Sequence, residues 1–153
     1  MIKTIFTSKI QVEQYIDLAI ELFDSSVYSQ SLTKNVDELK TLLQLCKNGN
    51  NKYFIGFYEE DNSVVGIMAG QVHKRPFMKE LIASDLFIYV SAKYRGKSKA
   101  GKELLKCFES EAKFRGAEVL FVAANTGINT EKTKLFFESN SYTEYGTNYM
   151  KEV

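Results

Sequence analysis

Between residues 81 and 124 the apolar pattern switches from strand to helix and back, and this switch is the tightest constraint on the fold. Leu86, Ile88 and Val90 alternate within residues 81–90, which predicts a strand with one buried face. A basic loop of small residues follows over 93–101. Leu104, Leu105, Phe108 and Ala112 then recur at helical spacing up to about Phe114, and Gly116 is a natural stop. Residues 119–124 are β-branched and apolar, a second strand. Strand, helix and strand in that order make a β-α-β crossover, which needs a sheet containing parallel neighbours.

The rest of the chain supplies the other layers. Residues 2–6 read as a short strand. Residues 11–24 place Tyr15, Ile16, Ala19, Leu22 and Phe23 on one helical face. Asn35 is a good N-cap with Glu38 three residues on, and Val36, Leu39, Leu42, Leu43 and Cys46 form an apolar stripe that Gly49 ends. Residues 53–58 and 64–72 are strands joined by the polar turn Glu59, Glu60, Asp61 and Asn62, hence a hairpin. Residues 74–79, with Pro76, form a loop. Residues 130–139 make a short helix carrying Leu135 and Phe136, and 142–151 read as strand material broken at Gly146. The predicted order is β-α-α-β-β-β-α-β-α-β. It implies an α/β fold (α+β by some schemes) with a mixed sheet and helices on both faces. No linker interrupts the 153 residues, so residues 1–153 are expected to form a single domain.

Composition removes several function classes. A net charge of +1 creates no bulk field toward nucleic acid or membrane. No run approaches the roughly 20 apolar residues of a membrane span, and the N-terminus lacks a secretory apolar core. Cys46 and Cys107 lack metal spacing and read as reduced core thiols of a cytoplasmic protein. His73 is the single histidine, which excludes multi-histidine metal sites and weakens any histidine triad. No metal is expected.

The loop at 93–101 carries the chemistry. Gly96, Ser98, Ala100 and Gly101 let backbone approach a ligand closely, and the first turn of the helix offers free N–H donors and a positive dipole end. Lys93, Arg95, Lys97, Lys99 and Lys102 crowd the same place. Each cation there opposes the macrodipole at about 0.3–1 kcal/mol, so an anionic ligand is expected to supply the missing charge. Gly96-x-x-x-x-Gly101-Lys102 nearly spells a nucleotide P-loop, but Glu103 stands where a magnesium-binding Ser or Thr is needed. The following strand also ends in Asn125 rather than Asp.

The same segment resembles the pyrophosphate loop of the GNAT acyltransferase superfamily: a strand, then Arg/Gln-x-x-Gly-x-Gly/Ala, then a helix opening near a Leu pair. The match is Tyr94, Arg95, Gly96 and Lys97, followed by Leu104 and Leu105. Counted from Arg95, the glycine positions hold Ser98 and Ala100. Counted back from Leu104, they hold Lys99 and Gly101, so the loop is one residue longer than the pattern. The resemblance extends from about Ile82 to the C-terminus, and the N-terminal half fits by element order. Residues 83–86, Gly116 with Ala117, and residues 126–129 look like a subgroup frequent in phages and prophages.

The resemblance implies a mostly antiparallel GNAT-like sheet and acetyl-CoA lying where two parallel strands splay, here between 86–90 and 119–124. Backbone at Ile88, Tyr89 and Val90 would meet the pantetheine arm. Arg95 and the loop Gly96, Lys97, Ser98, Lys99, Ala100, Gly101 and Lys102 would hold the pyrophosphate, and Asn125 would add a polar contact. An amine would attack the thioester directly, with Asp85 as general base. A carboxylate at a strand face is equally a structural hydrogen-bond acceptor. Glu80 is a second, more exposed candidate, and His73 would line the acceptor site or serve structure alone. The family's last helix usually carries Phe-Tyr, whose tyrosine protonates the leaving thiolate, but here the pair is Phe136 and Phe137. Tyr142, Tyr145 and Tyr149 are candidate replacements, although tyrosine favours strands. Glu13, Asp17, Glu21 and Asp24 give helix one a partly acidic face that would suit a cationic amine, or is simply solvated. The implied partner is a small-molecule or peptide amine, and many relatives form homodimers. No wide basic face invites nucleic acid. Phe137 favours the rival reading, a catalytically inactive acyl-CoA-binding or protein-interaction module on the same fold.

Overall fold

The computed structural model describes residues 1–151. Its sheet has five strands in the order β1 (Ile2–Lys3), β2 (Tyr53–Glu60), β3 (Ser63–Lys74), β4 (Leu81–Val90) and β5 (Val119–Phe121). The first four pair antiparallel and β4 pairs parallel with β5. The helices are α1 (Lys9–Ser25), α2 (Val36–Lys47), α3 (Ala100–Phe114) and α4 (Thr130–Ser139). A short 3-10 turn, Val27–Gln30, follows α1. No helix among the described residues is long and apolar enough to cross a membrane.

Local chemistry sets the element ends. Asn35 Oδ1 accepts the Glu38 N–H at 3.1 Å and starts α2 as expected. Ser8 Oγ accepts the Gln11 N–H at 3.2 Å and starts α1. Asp61 and Asn62 turn the β2–β3 hairpin with φ of 49° and 60°, the left-handed pair that suits strand twist.

The sheet separates two cores. On one face Tyr15, Leu18, Leu22 and Leu43 from α1 and α2 cover Ile55, Phe57, Ile67 and Ala69. On the other, Leu104, Leu105, Phe108 and Ala112 from α3 cover Phe54, Met68, Val72 and Ala83. Gly70 makes the second contact possible. A Cβ there would lie 2.4 Å from Phe54 Cζ and 2.9 Å from Phe108 Cε2, between two buried rings. Gly70→Ala is therefore expected to destabilise the fold by about 1–3 kcal/mol, read as a lower urea midpoint at unchanged m-value. An unshifted midpoint would mean that α3 has room to move.

Four expectations are corrected. β1 covers residues 2–3 only, because Phe6 leaves the sheet to stack on Phe57 at 4.8 Å. On α1 it is Leu18 that is buried, while Phe23 is turned only partly inward. β5 stops at Phe121 instead of Ala124, because the Asp85 carboxylate takes the Ala123 N–H at 3.1 Å in place of a ladder partner. Residues 142–151 form no strand. So short a β5 presents almost no edge to pair with, and side chains hold the tail instead. The Tyr142 hydroxyl donates to Glu109 Oε1 at 3.1 Å, and Tyr145 packs edge-on to Phe121 at 4.8 Å.

Candidate active site

The site begins where β4 and β5 part. Their parallel register runs Ile82–Val119, Ala83–Leu120 and Ser84–Phe121, then ends. Asp85 is the next residue, and its carboxylate bridges to Ala123 across the widening gap. A bulge lies here too. Gly70 pairs with Asp85 and Ala69 with Phe87, so Leu86 is an inserted residue and is 41% exposed. The insertion breaks the simple alternation expected of Leu86, Ile88 and Val90. Ile88 and Val90 pack on the α3 side with Ala83, and Leu86 does not.

Past the bulge, β4 keeps β3 on one side and, among the described residues, has no strand on the other. The Ser91 N–H donates to Val65 O at 3.0 Å. In an alternating antiparallel ladder, Tyr89 and Ser91 then turn their backbone groups to β3, and Ile88 and Val90 turn theirs into the opening. The Val90 carbonyl is not free, because it accepts Arg95 Nε at 2.7 Å. Arg95 thus folds back onto the strand, its guanidinium 4.7 Å over the Tyr89 ring. The Tyr89 hydroxyl donates to Glu21 Oε1 at 2.8 Å, and Glu21 also accepts from Ser91 Oγ at 3.2 Å and the Ala92 N–H at 3.3 Å. One α1 carboxylate therefore clamps the end of β4.

The loop spends some of its amides on itself. Tyr94 O accepts from the Lys97 N–H at 3.1 Å and the Ser98 N–H at 3.2 Å, and Ser98 Oγ accepts the Ala100 N–H at 3.2 Å. The first bond into α3 is Glu103 N–H to Lys99 O at 3.1 Å. Among the described residues, the amides of Gly96, Lys99, Gly101 and Lys102 have no intramolecular acceptor. Lys99 occupies the N-cap with no side-chain capping bond, so the helix N-terminus presents bare donors.

These parts enclose a cleft of about 710 Å³. Asp85, Ile88, Tyr89 and Val90 line it; the backbone of Ile88 and the Val90 N–H form its open edge, whereas the Tyr89 backbone faces β3, contrary to a cofactor contact there. Arg95, Gly96, Ser98, Gly101 and Lys102 line it from the loop and α3, and Asn125 from beyond β5. Lys97, Lys99 and Ala100 do not line it: the two lysine side chains are exposed, and Ala100 is fully buried beneath the helix start. The small size of Ala100 serves packing and not ligand approach. Burial pushes the Asp85 carboxyl up from the usual 3.8 to about 7, against the Ala123 N–H, which lowers it. A carboxyl group with that value changes charge at working pH, as a general base should.

The other candidates lie elsewhere. Glu80 and His73 sit at the start of β4 and the end of β3 and do not line the cleft. Tyr145 and Tyr149 are exposed, and the Tyr142 hydroxyl is spent on Glu109. Phe136 and Phe137 both line the cleft, and Phe137 is buried. The α1 acids line none of it: Glu21 is clamped, Asp24 pairs with Lys34 at 2.7 Å and Glu13 with Lys9 at 3.5 Å. Burial pushes Cys46 up to about 11 and Cys107 up to about 12, values that suit core thiols and not nucleophiles.

Tyr28, Thr126 and Lys132 line the cleft without any signal from composition or spacing. Tyr28 arrives through the 3-10 turn, which is tied across the chain by Val27 N–H to Thr126 O at 2.9 Å. Gly127 allows this closure, because a Cβ there would sit 2.3 Å from Val27 Cγ1. Burial and the neighbouring Asp85 charge raise the Tyr28 phenol above its ordinary range, so it stays protonated.

The sequence profile of the acetyltransferase (GNAT) family matches residues 16–139, which takes in β2 to β5, all of α2, α3 and α4, the C-terminal part of α1 and every residue lining the cleft. The chain belongs to this family. No curated protein matches it in sequence. Among solved structures, this GNAT chain is similar to glucosamine-6-phosphate N-acetyltransferase from Arabidopsis thaliana. That match has a TM-score of 0.74 at 15% identity and covers 99% of this chain and 97% of that one. An aminoglycoside acetyltransferase from an uncultured soil metagenomic sample, solved with sisomicin, matches with a TM-score of 0.69 at 16% identity, covering 100% and 95%. Ribosomal-protein-alanine N-acetyltransferase from Brucella melitensis biovar Abortus 2308 gives 0.68 at 17%, covering 100% and 99%. At such identities the likeness is one of fold. The three names point to three different acceptors, so the GNAT fold does not itself select one.

Proposed function

We propose that the protein is an acetyl-CoA-dependent N-acetyltransferase that passes the acetyl group to a primary amine by direct attack. One observation carries this reading: the open edge of β4, the Asp85 carboxyl and the bare N-terminus of α3 face a single cleft. The residues present fit the cosubstrate. Gly101 and Lys102 offer unpaired amides, a lysine charge and a helix dipole, which suit a pyrophosphate. The Ile88 backbone and the Val90 N–H suit an extended arm rich in amides. The thioester supplies an activated acyl carbon.

The chain's own residues would then position and deprotonate. Asp85 as the carboxylate accepts the proton of the incoming ammonium, directly or through one water. The outward amides of β4 provide donors beside the reacting carbonyl, and the apolar walls exclude water. Tyr28, whose hydroxyl has no partner among the described residues, lines the cleft as a phenol that burial and the neighbouring Asp85 charge keep protonated. No covalent enzyme intermediate is needed, and no metal. The acetyl-CoA requirement fits a cytoplasmic enzyme, and the resemblance to phage and prophage members belongs to the same reading. The rival, an inactive acyl-CoA-binding or interaction module, is favoured by Phe137, which fills the usual tyrosine position with a buried ring.

Calorimetric titration of acetyl-CoA, followed by amine-dependent release of free CoA thiol, tests both. Saturable binding with turnover supports the transferase. Binding without turnover on any amine supports the module. No binding at millimolar acetyl-CoA overturns the cofactor site itself.

A further inference from the structure

We infer that the acceptor is a monoamine carried on an apolar or aromatic body, and not a polycation or a phosphorylated sugar. The inference rests on the acetyltransferase reading and concerns the part of the cleft that the cofactor would leave open. Among the described residues, three cations line the cleft. Arg95 and Lys102 belong to the loop and α3, and Lys132 belongs to α4, whose Phe136 ring comes within 3.8 Å of a Cβ built on Gly101. The apolar and aromatic part of its lining includes Leu22 and Phe23 of α1, Tyr28 of the 3-10 turn, Phe87 of β4 and Ile128 of the β5–α4 loop. Among the described residues, Asp85 is the only carboxylate lining the cleft.

The nearby acids cannot add to it. Glu21 accepts three hydrogen bonds from the end of β4, and Asp24 holds Lys34. One ammonium can therefore be matched by one carboxylate. Each further ammonium of a polyamine or aminoglycoside would be desolvated against Leu22, Phe23 or Phe87 with no counter-charge. The hydroxyls and phosphate of a sugar phosphate would likewise lose water against these apolar residues. An aryl or alkyl body instead gains from leaving water there. The Tyr28 hydroxyl, unpaired among the described residues, adds one polar contact.

The test compares kcat/KM by thiol release for phenethylamine and hexylamine against spermidine, sisomicin and glucosamine-6-phosphate, at pH 8 and saturating acetyl-CoA. The first two are expected to exceed the others by about tenfold or more, the scale of a buried apolar side chain. Phe23→Glu should cut kcat/KM for phenethylamine about tenfold, relieve the bias against spermidine, and leave acetyl-CoA affinity by calorimetry within about twofold. Faster turnover of spermidine, sisomicin or glucosamine-6-phosphate by the parent enzyme would overturn the acceptor class and leave the transferase reading standing. Acetyl-CoA binding with no turnover of any amine would overturn both.

Discussion

Replacing Asp85 by Asn is expected to lower turnover by about 10²–10⁴-fold while leaving acetyl-CoA affinity within about twofold. Asn keeps the size of the side chain, and its Oδ1 can still accept the Ala123 N–H that bridges the gap between β4 and β5. On the proposed mechanism only the base is lost. In the parent enzyme, kcat/KM should rise with pH through about 7, the value to which burial pushes this carboxyl, and the variant should lose that limb. Stability moves in the opposite sense. A folded-state value raised above 3.8 means that the native protein keeps a proton the unfolded chain has released. Its contribution is most favourable below about pH 4 and is lost as pH rises through about 7. Asp85→Asn should therefore be more stable than the parent at pH 8, by about 1–3 kcal/mol after allowance for partial exposure, and equal to it near pH 4. Urea unfolding at the two pH values measures this. A variant with normal kcat, or one less stable than the parent at pH 8, would reduce Asp85 to a structural acceptor.

Lys102→Glu is expected to weaken acetyl-CoA binding by about 10–100-fold, whereas Lys97→Glu combined with Lys99→Glu should weaken it by about threefold or less. Lys102 lines the cleft in the first turn of α3, beside its own unpaired amide and that of Gly101. Lys97 and Lys99 are exposed outside the lining and act only through screened charge. A glutamate in the first turn suits the helix dipole, so loss of binding would not come from a damaged helix. Calorimetry at two salt concentrations separates the direct contact from the diffuse field. The reverse ranking would move the phosphates onto the outer loop.

Much of this arrangement is legible in residue order, and the departures have physical causes. Asn35 with Glu38, and Leu104 with Phe108 and Ala112, state their helices locally, so caps and faces can be read directly. Gly96 and Gly101, which line the cleft, stand out in the sequence because small residues at a helix start leave room for close backbone approach. Leu86 departs from its expected face because a bulge is a property of two paired strands, and one strand's alternation does not reveal it. The tail departs because Tyr142, Tyr145 and Tyr149 have strand propensity, and propensity does not supply an edge to pair with. Tyr28 leaves no mark in the sequence because it reaches the cleft only through Val27 meeting Thr126, a contact between distant parts of the chain. Lys97, Lys99 and Ala100 share the loop's composition, but the turn at Tyr94 and the start of α3 decide which amides remain unspent.

The shortness of the β4–β5 pairing has a thermodynamic consequence. Within the sheet, three residue pairs and the Asp85–Ala123 bond join β5 to β4, whereas β2, β3 and β4 share long antiparallel ladders; the Val27–Thr126 and Tyr142–Glu109 hydrogen bonds and the packing of Phe137 against the α3 core supply the other ties. Fewer ladder bonds hold the β4–β5 seam than hold the antiparallel strands, so local opening along it is expected to cost less than global unfolding. Any molecule seated in the cleft touches both lips of that seam, and its binding free energy adds to whatever holds them together. Occupancy and cohesion become one equilibrium. Amide protection across β5 and α4 should then report a ligand's affinity, because a molecule seated there would stand in for the missing rungs of the sheet.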